Sequence, residues 1–136
     1  EEYLKRINFG KYSCKLIEIK ATKNPAKPII EIMKEEAQKI KAQIPEGSFV
    51  IALDEKGKQF NSVKFAGQLD SISLDYKSIV FIIGGAFGVS DEVQQRAQYT
   101  VSISAMVFPH MLVRLLLVEQ LYRAWSIRTG GKYHHA

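Results

Sequence analysis

Three histidines, two arginines in an apolar stretch and one glycine-rich turn are the residues whose types and spacing bear on chemistry here. The histidines are His110, His134 and His135. There is no H-E-x-x-H, and adjacent side chains at 134 and 135 diverge in extended chain, so the spacing does not favour a zinc site. Cys14 is the single cysteine, which leaves no disulfide framework and no cysteine-based zinc site within one chain, in keeping with a reducing cytosol. No G-x-S-x-G elbow and no reactive-cysteine setting is present, so acyl transfer through a covalent intermediate has no nucleophile. Arg114 and Arg123 interrupt an apolar run. Glu119 and Arg123 are four apart, the spacing of a surface ion pair on a helix. Arg114 has no such partner in its own helix. Three roles stay open for it: a local pairing, a pairing across a dimer, and a hold on an anionic substrate.

The turn reads Gly84-Gly85-Ala86-Phe87-Gly88 and follows the apolar run at 79–83. Its spacing is neither G-x-G-x-x-G nor a P-loop, which opposes a dinucleotide binder. The next helix opens Ser90-Asp91-Glu92. Carboxylates there suit the helix dipole but repel a phosphate. The spacing favours a tight strand-to-helix turn that needs positive φ. The other reading is a backbone clamp for a ligand without phosphates.

These residues must be positioned by the elements around them. In residues 111–122, nine of twelve are apolar, interrupted by Arg114, Glu119 and Gln120. A helix apolar nearly all round is buried on more than one side, which in a short chain means a core face plus a subunit interface. His110, directly after Pro109, reads as its cap. The charges exclude a membrane span. Earlier in the chain, 14–19 and 100–104 read as strands, and the continuous apolar runs at 49–53 and 79–83 read as strands buried on both faces. Helices are expected at 29–44, 63–74 and about 91–98, with a helix end at 1–7. In 63–74 the inward residues are Val63, Ala66, Leu69 and Ser73; Asp54-Glu55-Lys56-Gly57 is a turn closing the strand at 49–53. Ser90 is the N-cap of 91–98. The alternation predicts an α/β fold with a mostly parallel sheet flanked by helices. Ligands in such sheets bind at the carboxyl ends of the strands, where Leu53-Asp54, the glycine loop from Gly84 and residues 104–108 would meet.

At 136 residues, with 46% hydrophobic and 24% charged side chains, the chain reads as one globular domain. Net charge is +5, and it is uneven: +4 over residues 1–45, −2 over 46–108 and +3 over 109–136. Basic ends permit a polyanion such as RNA.

Taken in order, the motifs are Leu53-Asp54-x-x-Gly57-Lys58; Phe81-Ile82-Ile83-Gly84-Gly85-x-x-Gly88; Ser102-x-Ser104-x-Met106-x-Phe108-Pro109-His110-x-x-Val113-Arg114; Glu119-Gln120-x-Tyr122-Arg123-Ala124; and Gly131-x-Tyr133-His134. This pattern closely resembles the RlmH family, bacterial SPOUT methyltransferases that methylate N3 of a pseudouridine in 23S rRNA. The resemblance spans essentially the whole chain. It implies a C-terminal trefoil knot, an exception to the near absence of knots in proteins. It implies S-adenosylmethionine (SAM) as cofactor, held by Leu53, Gly84, Ile103, Ser104, Ala105, Met106, Val107 and Phe108. It implies His110, Arg114, Arg123, Tyr133 and His134 as catalytic or RNA-contacting residues, and no metal. It implies a cytoplasmic homodimer acting on the large subunit or the assembled ribosome. Family members open with a strand and a Val-Gly turn ahead of the first helix, so the resemblance places a further strand before residue 1. The rival reading is a non-catalytic RNA-binding or interaction module on the same scaffold, separable by whether SAM binds.

Gly130-Gly131 reads as a hinge between the long helix and the tail, and composition alone makes that tail a frayed terminus. The resemblance opposes this and places Tyr133 and His134 in the active site.

Overall fold

The computed structural model describes residues 26–84 and 89–135. The strand expected at 14–19, the helix end at 1–7 and the glycines at 85 and 88 lie outside the described residues. The described elements are α1 (Ile29–Gln43), β1 (Phe49–Gln59), α2 (Ser62–Asp75), β2 (Ile79–Ile83), α3 (Asp91–Arg96), β3 (Tyr99–Ser102) and α4 (His110–Arg128). The three strands form a parallel sheet in the order β2-β1-β3. The fold is α/β, as the alternation predicts.

The five apolar residues that open β1 explain the layering. Successive side chains in a strand point to opposite faces. Phe49, Ile51 and Leu53 therefore join one core with Phe65, Ala66 and Ile72 of α2 and Leu117 and Ala124 of α4. Val50 and Ala52 join the other, with Ala37 of α1, Ile82 of β2 and Val93 of α3. The sheet is covered on both faces, which a central parallel strand requires.

Polar ties fix each helix layer. On one face, Lys41 of α1 pairs with Glu92 of α3 at 2.6 Å. On the other, Ser62 Oγ donates to Gln120 Oε1 at 2.7 Å, and Arg128 pairs with Asp70 at 2.5 Å. Asp70 and Arg128 each lie eight residues beyond Ser62 and Gln120, so α2 and α4 run in the same direction.

Four expectations are corrected. The inward face of α2 is Phe65, Ala66, Leu69 and Ile72, whereas Val63 is 52% exposed. The helix starts at Asn61, whose side chain caps it by accepting from the Lys64 N–H, and that start sets its phase. Ile29, expected on the buried face of α1, is also exposed. The third is the turn at 54–57. Asp54 Oδ1 does accept from the Lys56 N–H, an Asx turn, but β1 runs on to Gln59. Leu53 and Lys58 both pair with Val101, so residues 54–57 form a bulge rather than an end to the strand. Gly57 is required there: a Cβ would lie 2.7 Å from the backbone of Thr100 and Val101.

The fourth concerns Gly130-Gly131. Gly130 has φ +76°, its N–H donates to Ile127 O at 3.3 Å, and the Gly131 N–H donates to Ser126 O at 2.7 Å. That is a Schellman cap, which closes the helix and aims the chain back along it. The pair is a fixed reversal and not a hinge.

Candidate functional site

Two groups of chemistry-bearing residues lie along α4. The first is at the carboxyl edge of the sheet. The register places Leu53 level with Ile83 on one side and Val101 on the other. β2 and β3 therefore end at one edge, about 10 Å apart, on either side of β1 where its bulge begins. Gly84 follows β2 there, and the segment 103–109 follows β3. Two serines shape that segment. Ser102 Oγ donates to Ser104 O at 2.8 Å, and Ser104 Oγ accepts from the Met106 N–H at 3.0 Å. The turn packs Ile103 against the core and leaves Ala105, Met106 and Val107 exposed, with Phe108 half-buried.

A small concavity of about 10 Å³ beside Gly84 opens toward Met33, Ala37, Ser90 and Val93, between α1 and α3. Another of about 100 Å³ lies at Lys58, Phe60, Gln68, Tyr99, Thr100 and Val101. Neither is lined by residues 103–108.

α4 begins where that segment ends. His110 is its first residue and is exposed. The cap position belongs to Pro109, with no side-chain cap hydrogen bond, so His110 does not cap the helix. Arg114, one turn on, has Nη2 3.4 Å from Met111 Sδ. Met111, Leu112 and Leu115 are exposed, as are Met106 and Val107, whereas Leu117 and Val118 are buried. The apolar circumference is thus split: one side is core and the other is an uncovered stripe in the first half of the helix.

The second group is at the other end. Thirteen residues separate His110 from Arg123, about 20 Å at 1.5 Å per residue. There the chain turns at Gly130 and lays Tyr133 and His134 back on α4. Glu119 is the hub. Its Oε1 accepts from Arg123 Nε at 2.9 Å, from Arg123 Nη2 at 2.6 Å and from the Tyr133 hydroxyl at 3.1 Å. Its Oε2 accepts from Gln120 Nε2 at 2.9 Å, and Gln120 is anchored by Ser62. The Arg123 guanidinium stacks on the Tyr133 ring at 4.8 Å, and Arg123 Nη1 lies 3.0 Å from His134 Nδ1. The Tyr133 ring also meets Tyr122 edge-on at 4.7 Å. The Glu119–Arg123 pair keeps only 19% and 23% of its side-chain surface exposed, so it is no ordinary surface pair.

The sequence model of one methyltransferase family matches residues 1–134, and its description is "Predicted SPOUT methyltransferase". The chain belongs to that family. Among its relatives is a Ribosomal RNA large subunit methyltransferase H of Clostridium acetobutylicum, 42% identical over 98% of this chain and 86% of its own length. A protein of the same name from Streptococcus thermophilus is 42% identical over the same shares, and one from Burkholderia ambifaria is 44% identical over 77% of this chain and 67% of its own length. Family membership and the parallel sheet agree with the reading of the motifs.

Among the described residues, no three His, Cys, Asp or Glu side chains gather as a metal-binding group, and no helix is long and apolar enough to cross a membrane. The structure brings Leu53, Gly84 and Ile103 to one edge, places His110 and Arg114 beside it, and gathers Arg123, Tyr133 and His134 elsewhere. Sequence reasoning read Glu119 as the i,i+4 partner of Arg123, and the structure adds Tyr133 and Gln120 to that pair. Gln120 stood in the motif with Glu119, but its tie to Ser62 carried no signal, because that hydrogen bond spans 58 residues. Asp54 was placed at the strand end with Leu53, without a contact assigned to it. It sits at the sheet edge with Oδ2 accepting from Gln94 Nε2 of α3 at 3.4 Å.

Proposed function

We propose that this chain transfers a methyl group from SAM to N3 of a pseudouridine in 23S rRNA of the large ribosomal subunit, in the cytoplasm and as a homodimer. The observation that carries the reading is the family match over residues 1–134, joined by relatives of 42% identity that bear a ribosomal RNA methyltransferase name. The proposal includes the family's trefoil knot on the C-terminal side.

The sheet edge suits SAM. The ligand carries no phosphate, which agrees with Asp91 and Glu92 in the first turn of α3. The edge offers apolar side chains at Leu53, Ile103, Met106 and Val107, and no side chain at Gly84. When bound, SAM supplies a methyl group on a sulfonium, which is displaced in line and needs no metal and no covalent enzyme intermediate. The residues at the edge bind and orient it, and orientation alone supplies much of such a rate. The N3 proton passes to water, and donors near the base's carbonyl oxygens spread the charge left behind. His110 and Arg114 stand closest along the chain to the edge. Arg123, Tyr133 and His134 stand about 20 Å along α4 from it. A two-fold pairing of the uncovered stripe at Met111, Leu112 and Leu115 carries one subunit's tail toward its partner's edge, so that each active site uses both chains.

The test is methylation of ribosomal particles with labelled SAM. Incorporation at a single pseudouridine is expected. A stabilising thermal shift with S-adenosylhomocysteine is also expected, because a ligand that binds only the folded state raises its stability. No shift and no incorporation on any particle would overturn the reading in favour of a non-catalytic module.

A further inference from the structure

The hub at Glu119 determines which proton His134 carries. A guanidinium has five N–H donors and no acceptor. The 3.0 Å contact from Arg123 Nη1 therefore makes His134 Nδ1 the acceptor. The neutral ring then holds its proton on Nε2. No hydrogen bond occupies Nε2 among the described residues, so the ring offers one N–H donor and no free lone pair. Arg123 cannot turn away, because Glu119 Oε1 grips Nε and Nη2 while the Tyr133 ring stacks on its face. Glu119 cannot turn either, because Gln120 holds Oε2 and Ser62 holds Gln120.

We propose that Glu119 is a positioning residue that locks Arg123 and Tyr133, and that Arg123 in turn holds His134 as the Nε2–H tautomer, making His134 a hydrogen-bond donor to the RNA base and not a base that removes its proton. The inference rests on the methyl-transfer reading and deepens it. A donor aimed at a carbonyl oxygen beside the nucleophilic N3 stabilises the charge that appears when the N3 proton leaves to water. The Arg123 cation behind the ring acts in the same sense. Proton transfer from N3 to His134 is excluded by the same geometry, since the lone pair it would need is bound to Arg123.

Two measurements test this. The first reads the ring nitrogens of His134 by ¹⁵N NMR of the unmodified protein, with His134→Gln to assign the signals. The expected spectrum has a protonated Nε2 and a bare Nδ1; a proton on Nδ1 overturns the proposal. The second is kinetic. Glutamine supplies an N–H near the position of Nε2 but cannot act as a base. His134→Gln is therefore expected to run about fivefold faster than His134→Ala, the worth of one neutral hydrogen bond. Equal rates for the two variants overturn the donor role. Glu119→Gln keeps the size of the side chain but sets its amide against the Gln120 amide. It is expected to lower kcat with SAM affinity unchanged and to remove the single-tautomer spectrum. Wild-type kcat with an unchanged spectrum overturns the positioning role. The spectrum does not depend on activity, so failure of the unmodified protein to methylate ribosomes would sink the methyl-transfer reading alone and would leave the tautomer decided.

Discussion

Gly57 and Gly67 provide the same chemical change with opposite expected signs. At Gly57 an added Cβ lies 2.7 Å from Thr100 C, Thr100 O and Val101 C. Ordinary contact begins near 3.4 Å, so β3 must withdraw by about 0.7 Å, and the neighbours are backbone that cannot rotate aside. Overpacking of this kind costs about 1–3 kcal/mol. The lower entropy of the unfolded chain returns about 0.4–1 kcal/mol. A net loss of about 1–2 kcal/mol follows for Gly57→Ala. At Gly67, inside α2, nothing lies within 4 Å of the added carbon. There alanine gains about 0.5–1 kcal/mol as the better helix former. For a domain of this length, about 4 °C of Tm accompanies each kcal/mol. Gly57→Ala is therefore expected to melt about 4–8 °C below the unmodified protein, and Gly67→Ala about 2–4 °C above it. Scans at equal protein concentration by calorimetry read both. Gly57→Ala is further expected to weaken SAM binding, because β3 leads directly into residues 103–108, whereas Gly67→Ala is not. If Gly57→Ala melts at or above Gly67→Ala, the close approach of the β1 bulge to β3 is wrong.

Three further outcomes are expected. Leu115→Asp, on the uncovered stripe, should yield a folded monomer by sedimentation, whereas Leu117→Ala, in the core against α2, should cost about 2–5 kcal/mol in denaturant unfolding; a dimeric Leu115→Asp protein would count against the stripe as the interface. Gly84→Val should abolish SAM binding in calorimetry and leave a folded dimer, because a branched side chain closes the backbone approach after β2; unchanged affinity would remove Gly84 from the pocket. Deleting residues 132–136 should leave the fold and dimer intact and remove most methyl transfer. Tyr133→Ala alone should slow transfer at least about tenfold, equivalent to about 1.4 kcal/mol of barrier; ribosome methylation at the normal rate after the deletion would withdraw the tail from the active site.

What was legible in the sequence follows from how local each signal is. The run at 49–53 announced a strand buried on both faces because every residue in it is apolar, and it does supply both cores. The Ser90 cap was legible because its partner, the Val93 N–H, is three residues away. The phase of α2 was not. Ala66 and Leu69 fit either face, and a choice between Val63 and Phe65 turns on where Asn61 starts the helix. The bulge in β1 was hidden for a different reason. Asp54-Glu55-Lys56-Gly57 has the composition of a turn and contains one, but only the backbone of β3 shows that pairing resumes at Lys58. The strand-end rule brought Leu53 and Gly84 together before the register did, and the family motifs added Ile103, while the composition of the tail pointed the wrong way.

The tail is ordered by the helix it lies on. Fixing Lys132, Tyr133 and His134 costs about 1–2 kcal/mol of backbone entropy for each residue. Against this stand two hydrogen bonds to charged groups, Tyr133 to Glu119 and Arg123 to His134, each worth about 1.5–3 kcal/mol. The Arg123 stack and the Tyr122 edge contact add about 0.5–1.5 kcal/mol each. The two sides agree to within a few kcal/mol, so the tail is held with little to spare. Each favourable contact passes through Glu119, Tyr122 or Arg123, and none comes from an apolar run in the tail. Lys132-Tyr133-His134 read alone is therefore a frayed terminus, and the same residues beside an i,i+4 Glu–Arg pair and a Schellman cap are held on α4. Where Tyr133 and His134 sit is written in α4, fourteen and eleven residues before them respectively.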